Sequence, residues 1–134
     1  MQHIMQIATQ GQGLYEITDK VNLIVEPIDL KFKLCHLFIQ HTSCSLIIQE
    51  NADPSAKFDL EKWMNRLVKE DDSLYTHTAE GSDDMPSHIK SILTQTSLSI
   101  PIMSGKLALG TWQGLYLWEH RHRPHHRQLV VTFL

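Results

Sequence analysis

Histidine is unusually frequent in this chain, with nine histidines among 134 residues of which only 20% are charged. Histidine changes its charge near neutral pH and is the commonest metal ligand in proteins. The composition therefore points first to metal binding or to acid–base chemistry. Which histidines are suited to either task depends on the residues around each of them.

The first candidate cluster is the run His41, Thr42, Ser43 and Cys44, which lies between two predicted strands. An imidazole beside small hydroxyls at a strand end can bind an oxyanion or a metal ion. The same hydroxyls can instead cap a hairpin, with His41 bonded only to the backbone. Cys44 is predicted to be a small buried hydrophobic residue rather than a reactive thiol.

A second cluster occupies a polar loop and the first turn of a predicted helix. Its histidines and carboxylates fall within twelve positions: His77, Glu80, Asp83, Asp84 and His88. A helix N-terminus opposes protonation of a nearby imidazole, so His88 is expected to be available as a ligand or a base. The cluster can form part of a metal site, although the separation of its two histidines is not a compact zinc spacing.

Two further segments have both a functional and a structural interpretation. In the segment 110–114, Trp112 and Gln113 lie between two glycines, so the indole can stack on a flat heterocycle or pack in the core. The basic tract 120–127 is predicted to be mostly a solvated turn interrupted by Pro124. Arg127 is the exception, because a guanidinium is suited to bidentate phosphate binding.

Composition and charge exclude several classes of protein. The net charge of −3 provides no overall positive field for nucleic acid or anionic membranes. The longest apolar runs are far too short to span a bilayer. Two cysteines cannot form a disulfide scaffold or a four-thiolate zinc site, and this usage favours a reducing, cytoplasmic setting. The length predicts a single domain over residues 1–134.

Hydrophobic periodicity predicts several strands interspersed with two or three helices. A short helix is predicted from an N-cap at Thr18 to Pro27, a second from Asp53-Pro54 and a third from Pro86. On the second, Leu60, Trp63, Met64, Leu67 and Val68 form one apolar stripe, and on the third Ile89, Ile92 and Leu93 share one side. Strands are predicted at 4–9, 32–39, 45–49, 98–102, 106–109, 111–119 and 128–133. The pattern indicates an α+β domain on a largely antiparallel sheet.

Taken together, the motifs resemble those of the YjbQ family, also labelled secondary thiamine-phosphate synthase. The matching segments follow one another over almost the whole chain: His41-Thr42-Ser43, Asn51-Ala52-Asp53-Pro54, Asp59, His77, Glu80-Gly81, Asp83-Asp84-Met85-Pro86-Ser87-His88-Ile89-Lys90, Ile100-Pro101, Gly105, Leu109-Gly110-Thr111-Trp112-Gln113-Gly114, Glu119 and Arg127. The chain departs from the common family pattern at 120–127, where many relatives have a glycine-containing turn. His122, His125 and His126 therefore inherit no role from the resemblance.

The resemblance implies an α+β, YjbQ-like fold with a mostly antiparallel, β-sandwich-like core and two to three helices, assembled as a homotrimer. It implies weak thiamine-phosphate synthesis, in which a pyrimidine diphosphate and a thiazole phosphate join and pyrophosphate leaves, with the primary role unsettled. The alternatives are a non-catalytic trimer that binds a metal or a phosphorylated metabolite, and a hydrolase of such a metabolite. A divalent metal, zinc or magnesium, is the expected cofactor.

The same resemblance suggests a role for each candidate side chain. The expected metal ligands are His41, His77 and His88. The expected catalytic residues are Glu80, His41 and Glu119. The expected contacts to a small phosphorylated metabolite are Thr42, Ser43, Lys90, Trp112, Gln113 and Arg127.

Overall fold

The computed structural model describes residues 1–134 and contains eight strands and three helices. The strands are β1 (Gln2–Thr9), β2 (Gly13–Glu16), β3 (Leu34–Ile39), β4 (Cys44–Glu50), β5 (Ser97–Met103), β6 (Lys106–Leu107), β7 (Gln113–Glu119) and β8 (His125–Phe133). The helices are α1 (Thr18–Val25), α2 (Pro54–Leu67) and α3 (Asp84–Leu93). No helix combines the length and the apolar character needed to cross a membrane.

The strands form two sheets in which every pairing between named strands is antiparallel. One sheet has the order β1-β8-β3-β5-β6 and the other the order β2-β7-β4. Buried side chains from both sheets form the main core, among them Leu37, Leu46, Leu117 and Leu129, each with 0% exposure. The predicted α+β fold with a mostly antiparallel, sandwich-like core is therefore confirmed.

Five strand ends meet at one edge of the molecule, and this edge carries the candidate site. Glu119 at the end of β7 pairs with Cys44 at the start of β4 and with Gly13 in β2. His125 at the start of β8 pairs with Thr9 at the end of β1. Residues distant in sequence are thus brought together by register alone.

The start of α2 is where the sequence predicts it. The Asp53 side chain accepts a hydrogen bond from the Ser55 amide at 2.9 Å, and Pro54 occupies the first turn. Of the predicted apolar stripe only Met64 and Val68 are buried. They pack in a second, smaller core beside β2 and β7. Trp63 is 49% exposed and Leu67 54%, so the stripe extends beyond the surface that the two sheets cover.

The prediction for the first helix is wrong in one detail. Thr18 is the first residue of α1 rather than its N-cap, which is Ile17. Its hydroxyl accepts a hydrogen bond from the Leu115 amide at 2.9 Å and donates to Glu16. The threonine therefore fastens α1 to β7 instead of capping the helix.

The burial of α3 does not follow its apolar residues. Ile92 is 81% exposed and Leu93 54%, whereas Lys90 and Ser91 are buried. The buried polar groups have partners, since Ser91 donates to the Cys44 carbonyl and Lys90 to Asn65. Satisfied hydrogen bonds remove the cost of burying polar side chains, so this face can pack inward. The helix also begins two residues before Pro86, at Asp84.

The basic tract is only partly the solvated turn that was predicted. His120 and Arg127 are 1% and 2% exposed, and β8 already begins at His125. Only the five residues 120–124 connect the strands. The short strand β2 was not predicted, and β3 begins at Leu34 rather than at position 32.

Candidate functional site

Three side chains converge at the start of α3. Asp84 and His88 lie one helical turn apart on the same face, and His77 reaches them from the preceding loop. Their ligand atoms all lie within 4.8 Å of one another. The Asp84 side chain is nearly buried, whereas His77 is more than half exposed. The arrangement is a two-histidine, one-carboxylate cluster that is open on one side.

The two oxygens of Asp84 have different environments. Oδ1 accepts a hydrogen bond from Nη1 of Arg121 at 2.7 Å. Oδ2 is buried and accepts no hydrogen bond. Nε2 of His77 lies 2.7 Å from Oδ2, but not in hydrogen-bonding geometry. A buried carboxylate oxygen without a donor is costly, and a cation between these two atoms would remove the cost.

The orientation of His88 is set through its other ring nitrogen. Nδ1 lies 3.1 Å from the backbone carbonyl of Thr42, which can only accept, so Nδ1 carries a hydrogen. In the neutral imidazole this leaves the lone pair on Nε2, which lies 3.4 Å from Oδ1 of Asp84. A histidine whose remote nitrogen donates to a backbone carbonyl is a typical arrangement of a metal ligand.

Arg121 connects the cluster to the loop that precedes α3. Its Nε donates to Asp83 at 3.1 Å and its Nη2 to the backbone carbonyl of Glu80 at 2.8 Å. Burial acts to raise the pKa of Asp83, but hydrogen bonds from the His122 amide and from Arg121 hold it below its usual value. The guanidinium therefore binds two carboxylates and fixes the position of the loop.

A buried ion pair lies beside this cluster. Nε of Arg127 donates to Oε1 of Glu119 at 2.8 Å, and Nη2 donates to Oε2. The Thr9 hydroxyl and the Arg121 amide also donate to this carboxylate. Burial acts to raise the pKa of Glu119, but the bonds from Arg127 and Thr9 lower it overall. Four donors saturate the carboxylate, so the geometry suits positioning better than proton transfer.

His41 is held beside the ion pair through Ser43. Nη2 of Arg127 donates to the Ser43 hydroxyl at 2.9 Å, and this hydroxyl lies 2.9 Å from Nδ1 of His41. The Ser43 amide also donates to Nδ1, which is therefore the unprotonated nitrogen. Burial lowers the pKa of His41, and the charges of Arg127 and His125 lower it further. His41 is thus a neutral imidazole whose Nε2 carries the hydrogen.

Three cavities adjoin the cluster, and the smallest, of about 230 Å³, has His77 in its lining. The threonine cavity, of about 400 Å³, is lined by His41, Thr42, His88, Ser91, Ile92, Thr94, Gln95 and Thr96. The arginine cavity, of about 540 Å³, is lined by Ala79, Glu80, Gly81, Arg121, Arg123 and His125. His88 lines the threonine cavity. Arg121, which donates a hydrogen bond to Asp84, lines the arginine cavity. Both of these cavities therefore adjoin the cluster.

The structure brings some of the predicted site residues together and leaves others apart. His77 and His88 share the cluster, and Thr42 contacts His88 through its carbonyl. His41, Ser43, Glu119 and Arg127 form the adjacent network, with His41 outside the three-residue cluster. Glu80 lines the arginine cavity.

Three predicted contacts lie elsewhere in the subunit. Lys90 donates to Asn65 at 2.7 Å and lines a separate cavity with Glu70 and His122. Burial lowers the pKa of Lys90. Gln113 begins β7, six positions from Glu119 or about 20 Å along an extended strand. Its side chain accepts from the Gly110 amide, and Trp112 beside it is 63% exposed.

Sequence reasoning placed Asp84 in the second candidate cluster but not among the expected metal ligands, and it gave no role to Arg121 or His125. Asp84 precedes His88 by four positions, which is the spacing that joins ligands on one helix face. This spacing was not recognised because the helix was predicted to begin at Pro86, which leaves Asp84 outside it. Arg121 and His125 lie in the tract that was predicted to be a solvated turn.

The sequence matches a family model over residues 3–134, and this model describes UPF0047 proteins that are YjbQ-like. The chain belongs to the YjbQ (UPF0047) family. The resemblance deduced from the motifs is therefore confirmed. The UPF0047 protein sll1880 of Synechocystis sp. is 53% identical over 130 residues, covering 97% of this chain and 88% of that protein. The UPF0047 protein YjbQ of Escherichia coli O157:H7 is 39% identical over 132 residues, covering 98% and 95%.

A solved structure of similar sequence has the same fold. The conserved hypothetical protein TT1486 from Thermus thermophilus superposes with a TM-score of 0.88 at 32% identity, covering 98% of this chain and 99% of that one. The fold is therefore that of YjbQ-like proteins, a family of unknown function.

Proposed function

We propose that this protein binds a divalent metal ion at His77, Asp84 and His88 and acts on a small phosphorylated metabolite beside it. The observation that carries the proposal is Oδ2 of Asp84, a buried oxygen without a donor that faces His77. Two imidazoles and one carboxylate suit zinc or a similar transition metal better than magnesium, which prefers oxygen ligands. The open side of the cluster leaves room for a substrate atom.

When bound, such an ion stabilises negative charge that develops on a phosphoryl group. The adjacent hydrogen-bonded network of His41, Ser43, Arg127 and Glu119 supplies hydrogen bonding and positioning. Neutral His41 can donate a hydrogen bond from Nε2 to a departing oxygen, while Ser43 and Arg127 hold its ring in place. The ion pair of Arg127 with Glu119 keeps that network rigid without itself exchanging protons.

Within this class, the proposed reaction is thiamine-phosphate synthesis as a secondary activity. It needs cationic stabilisation of a diphosphate leaving group and little nucleophilic chemistry from the protein, which fits the cluster and its cationic neighbours. A stacking surface for the pyrimidine is absent from the cluster in one subunit, because Trp112 lies at the other end of β7. In an assembly, Trp112 of a second copy is a candidate for that role.

A homotrimer in the cytoplasm remains part of the proposal. Exposed apolar side chains on α2 and α3 support it, since Trp63, Ile92 and Leu93 lack partners within the subunit. Beside Leu93 lies a cavity of about 410 Å³, lined mostly by apolar side chains such as Ile47 and Trp118. Exposed apolar surface of this kind is typical of a protein–protein contact.

The metal centre is tested by elemental analysis and zinc titration of the purified protein and three variants. We expect Asp84→Asn and His88→Gln to lower zinc affinity by more than about a hundredfold. His126→Gln is the matched control, because His126 is an exposed histidine outside the cluster. Equal zinc affinity in all four proteins would disprove the metal centre.

Activity is tested with the pyrimidine diphosphate and the thiazole phosphate, with thiamine phosphate as the measured product. Turnover that disappears in Asp84→Asn supports the synthase proposal. Tight binding of one phosphorylated ligand per subunit without turnover identifies a non-catalytic binding protein instead. Phosphate release from a panel of phosphorylated metabolites identifies a hydrolase.

A further inference from the structure

The arginine cavity contains a cation that no side chain in the subunit neutralises. The exposed guanidinium of Arg123 makes no hydrogen bond and no ion pair within the chain. The other arginine of the cavity, Arg121, is instead bound to Asp83 and Asp84. Arg123 therefore has its full set of donors available for a ligand.

His125 faces the same cavity with one nitrogen free. Its Nδ1 donates to the backbone carbonyl of Arg123 at 2.8 Å and lies 3.8 Å from Oε1 of Glu119. These contacts leave Nε2 without a partner. Pro124 separates Arg123 from His125 and restricts the backbone of the turn, so the two side chains are presented together. A guanidinium is a strong phosphate donor, whereas Nε2 of His125 donates only in the imidazolium form, because Nδ1 already carries the hydrogen of the neutral ring.

Arg127 is less suited to this role, although the sequence favours it. Its guanidinium is 2% exposed, and Nε and Nη2 are occupied by Glu119 and Ser43. A phosphate bound there would have to displace a buried ion pair, which is costly. Recognition of a phosphoryl group falls more readily to Arg123 and His125, which are accessible.

The threonine cavity on the other side of the cluster has a different character. Apart from its two histidines it has no ionisable side chain, and it offers the hydroxyls of Thr42 and Thr96 and the amide of Gln95. Hydroxyls and amides recognise uncharged groups that both donate and accept hydrogen bonds, such as sugar hydroxyls or a heterocyclic amide. This surface does not favour a second anion.

We infer that the substrate is a phosphate ester of an uncharged polar compound, with its phosphoryl group on Arg123 and His125 and its organic group in the threonine cavity. The inference rests on the proposed function, because it places the two ends of the ligand on either side of the His77, Asp84 and His88 cluster. Glu80 also lines the arginine cavity, so its negative charge offsets part of the attraction of Arg123 for an anion.

Calorimetric titration with inorganic phosphate and with ribose phosphate tests both halves of this inference. We expect Arg123→Ala and His125→Ala to weaken binding of both probes by about tenfold or more, with unchanged zinc content. Arg66→Ala is the matched control, an exposed arginine on α2 without an ion pair. Thr96→Val should weaken binding of ribose phosphate and leave inorganic phosphate unchanged.

Failure of this inference is distinguishable from failure of the metal centre. If Arg123→Ala and His125→Ala bind phosphate as tightly as the unmodified protein, or if that protein binds no phosphate, the phosphate subsite is disproved. Equal effects of Thr96→Val on both probes would disprove the neutral subsite. If the unmodified protein holds no zinc but its phosphate affinity still depends on Arg123, the metal centre fails and the subsite stands.

Discussion

Nη1 of Arg121 donates to Oδ1 of Asp84 at 2.7 Å, and Oδ2 of the same carboxylate is left facing His77. The guanidinium thereby selects which oxygen is available to a metal ion. It also fixes the loop through the Glu80 carbonyl. Arg121 is therefore a positioning residue for the cluster, acting through Asp84.

Replacement of Arg121 should weaken the metal centre without removing a ligand. Arg121→Lys keeps the charge but loses the planar fork that binds Asp83 and Asp84 together, so we expect zinc affinity to fall by about 10–100-fold. Zinc titration measures this directly, with Arg123→Lys as the control at the neighbouring free arginine. A merely structural role would lower the melting temperature of Arg121→Lys and leave its zinc affinity unchanged.

The ion pair of Glu119 with Arg127 should contribute to folding more than to chemistry. Glu119→Gln leaves the Arg127 charge buried without a counter-charge, which we expect to cost about 3–5 kcal/mol in the free energy of unfolding. The double variant Glu119→Leu/Arg127→Met should be less destabilised than Glu119→Gln, because it removes both charges. Urea denaturation measures both effects.

A catalytic role of Glu119 would give the opposite result. In that case Glu119→Gln would retain its stability and lose only turnover. The structure favours the first outcome, since four donors already occupy the carboxylate.

The sequence predicts local structure here better than it predicts burial. Asp53-Pro54 is a complete start signal, because the cap and the proline act within one turn. The inner face of α3 depends instead on partners far along the chain, such as the Cys44 carbonyl that accepts from Ser91. No local pattern shows that such a partner exists, so the exposure of Ile92 and Leu93 is not evident from the sequence.

The candidate site likewise combines residues that the sequence predicts with contacts that it does not predict. His77 and His88 were expected to be ligands because they fall in motifs that carry the family resemblance. The meeting of Asp84 with Arg121 depends on the register of β7, which brings position 121 beside the start of α3. Strand register is a tertiary property, and single-sequence motifs do not encode it.

The apolar face of α3 should determine the oligomeric state if the protein is a homotrimer. Leu93→Asp places a charge on the apolar surface beside the cavity lined by Ile47 and Trp118, so we expect it to dissociate the assembly into monomers. Light scattering after size-exclusion chromatography gives the mass. Leu74→Asp is the control, because Leu74 is 85% exposed in a loop away from this cavity. A Leu93→Asp protein with unchanged mass would place the interface elsewhere.

The buried imidazole of His120 should make the protein sensitive to acid. Burial lowers the pKa of His120 to about 3, from its ordinary value of 6.5. The unfolded chain therefore binds a proton that the folded chain does not, and stability is complete above about pH 6.5 and is lost as the pH falls toward 3. The loss reaches at most about 1.4 kcal/mol per pH unit.

Between pH 6.5 and 4.5 we expect His120→Gln to flatten the pH dependence of unfolding in urea, and the exposed-site variant His126→Gln to leave it unchanged. Parallel slopes for His120→Gln and the unmodified protein would show that another group controls the acid sensitivity.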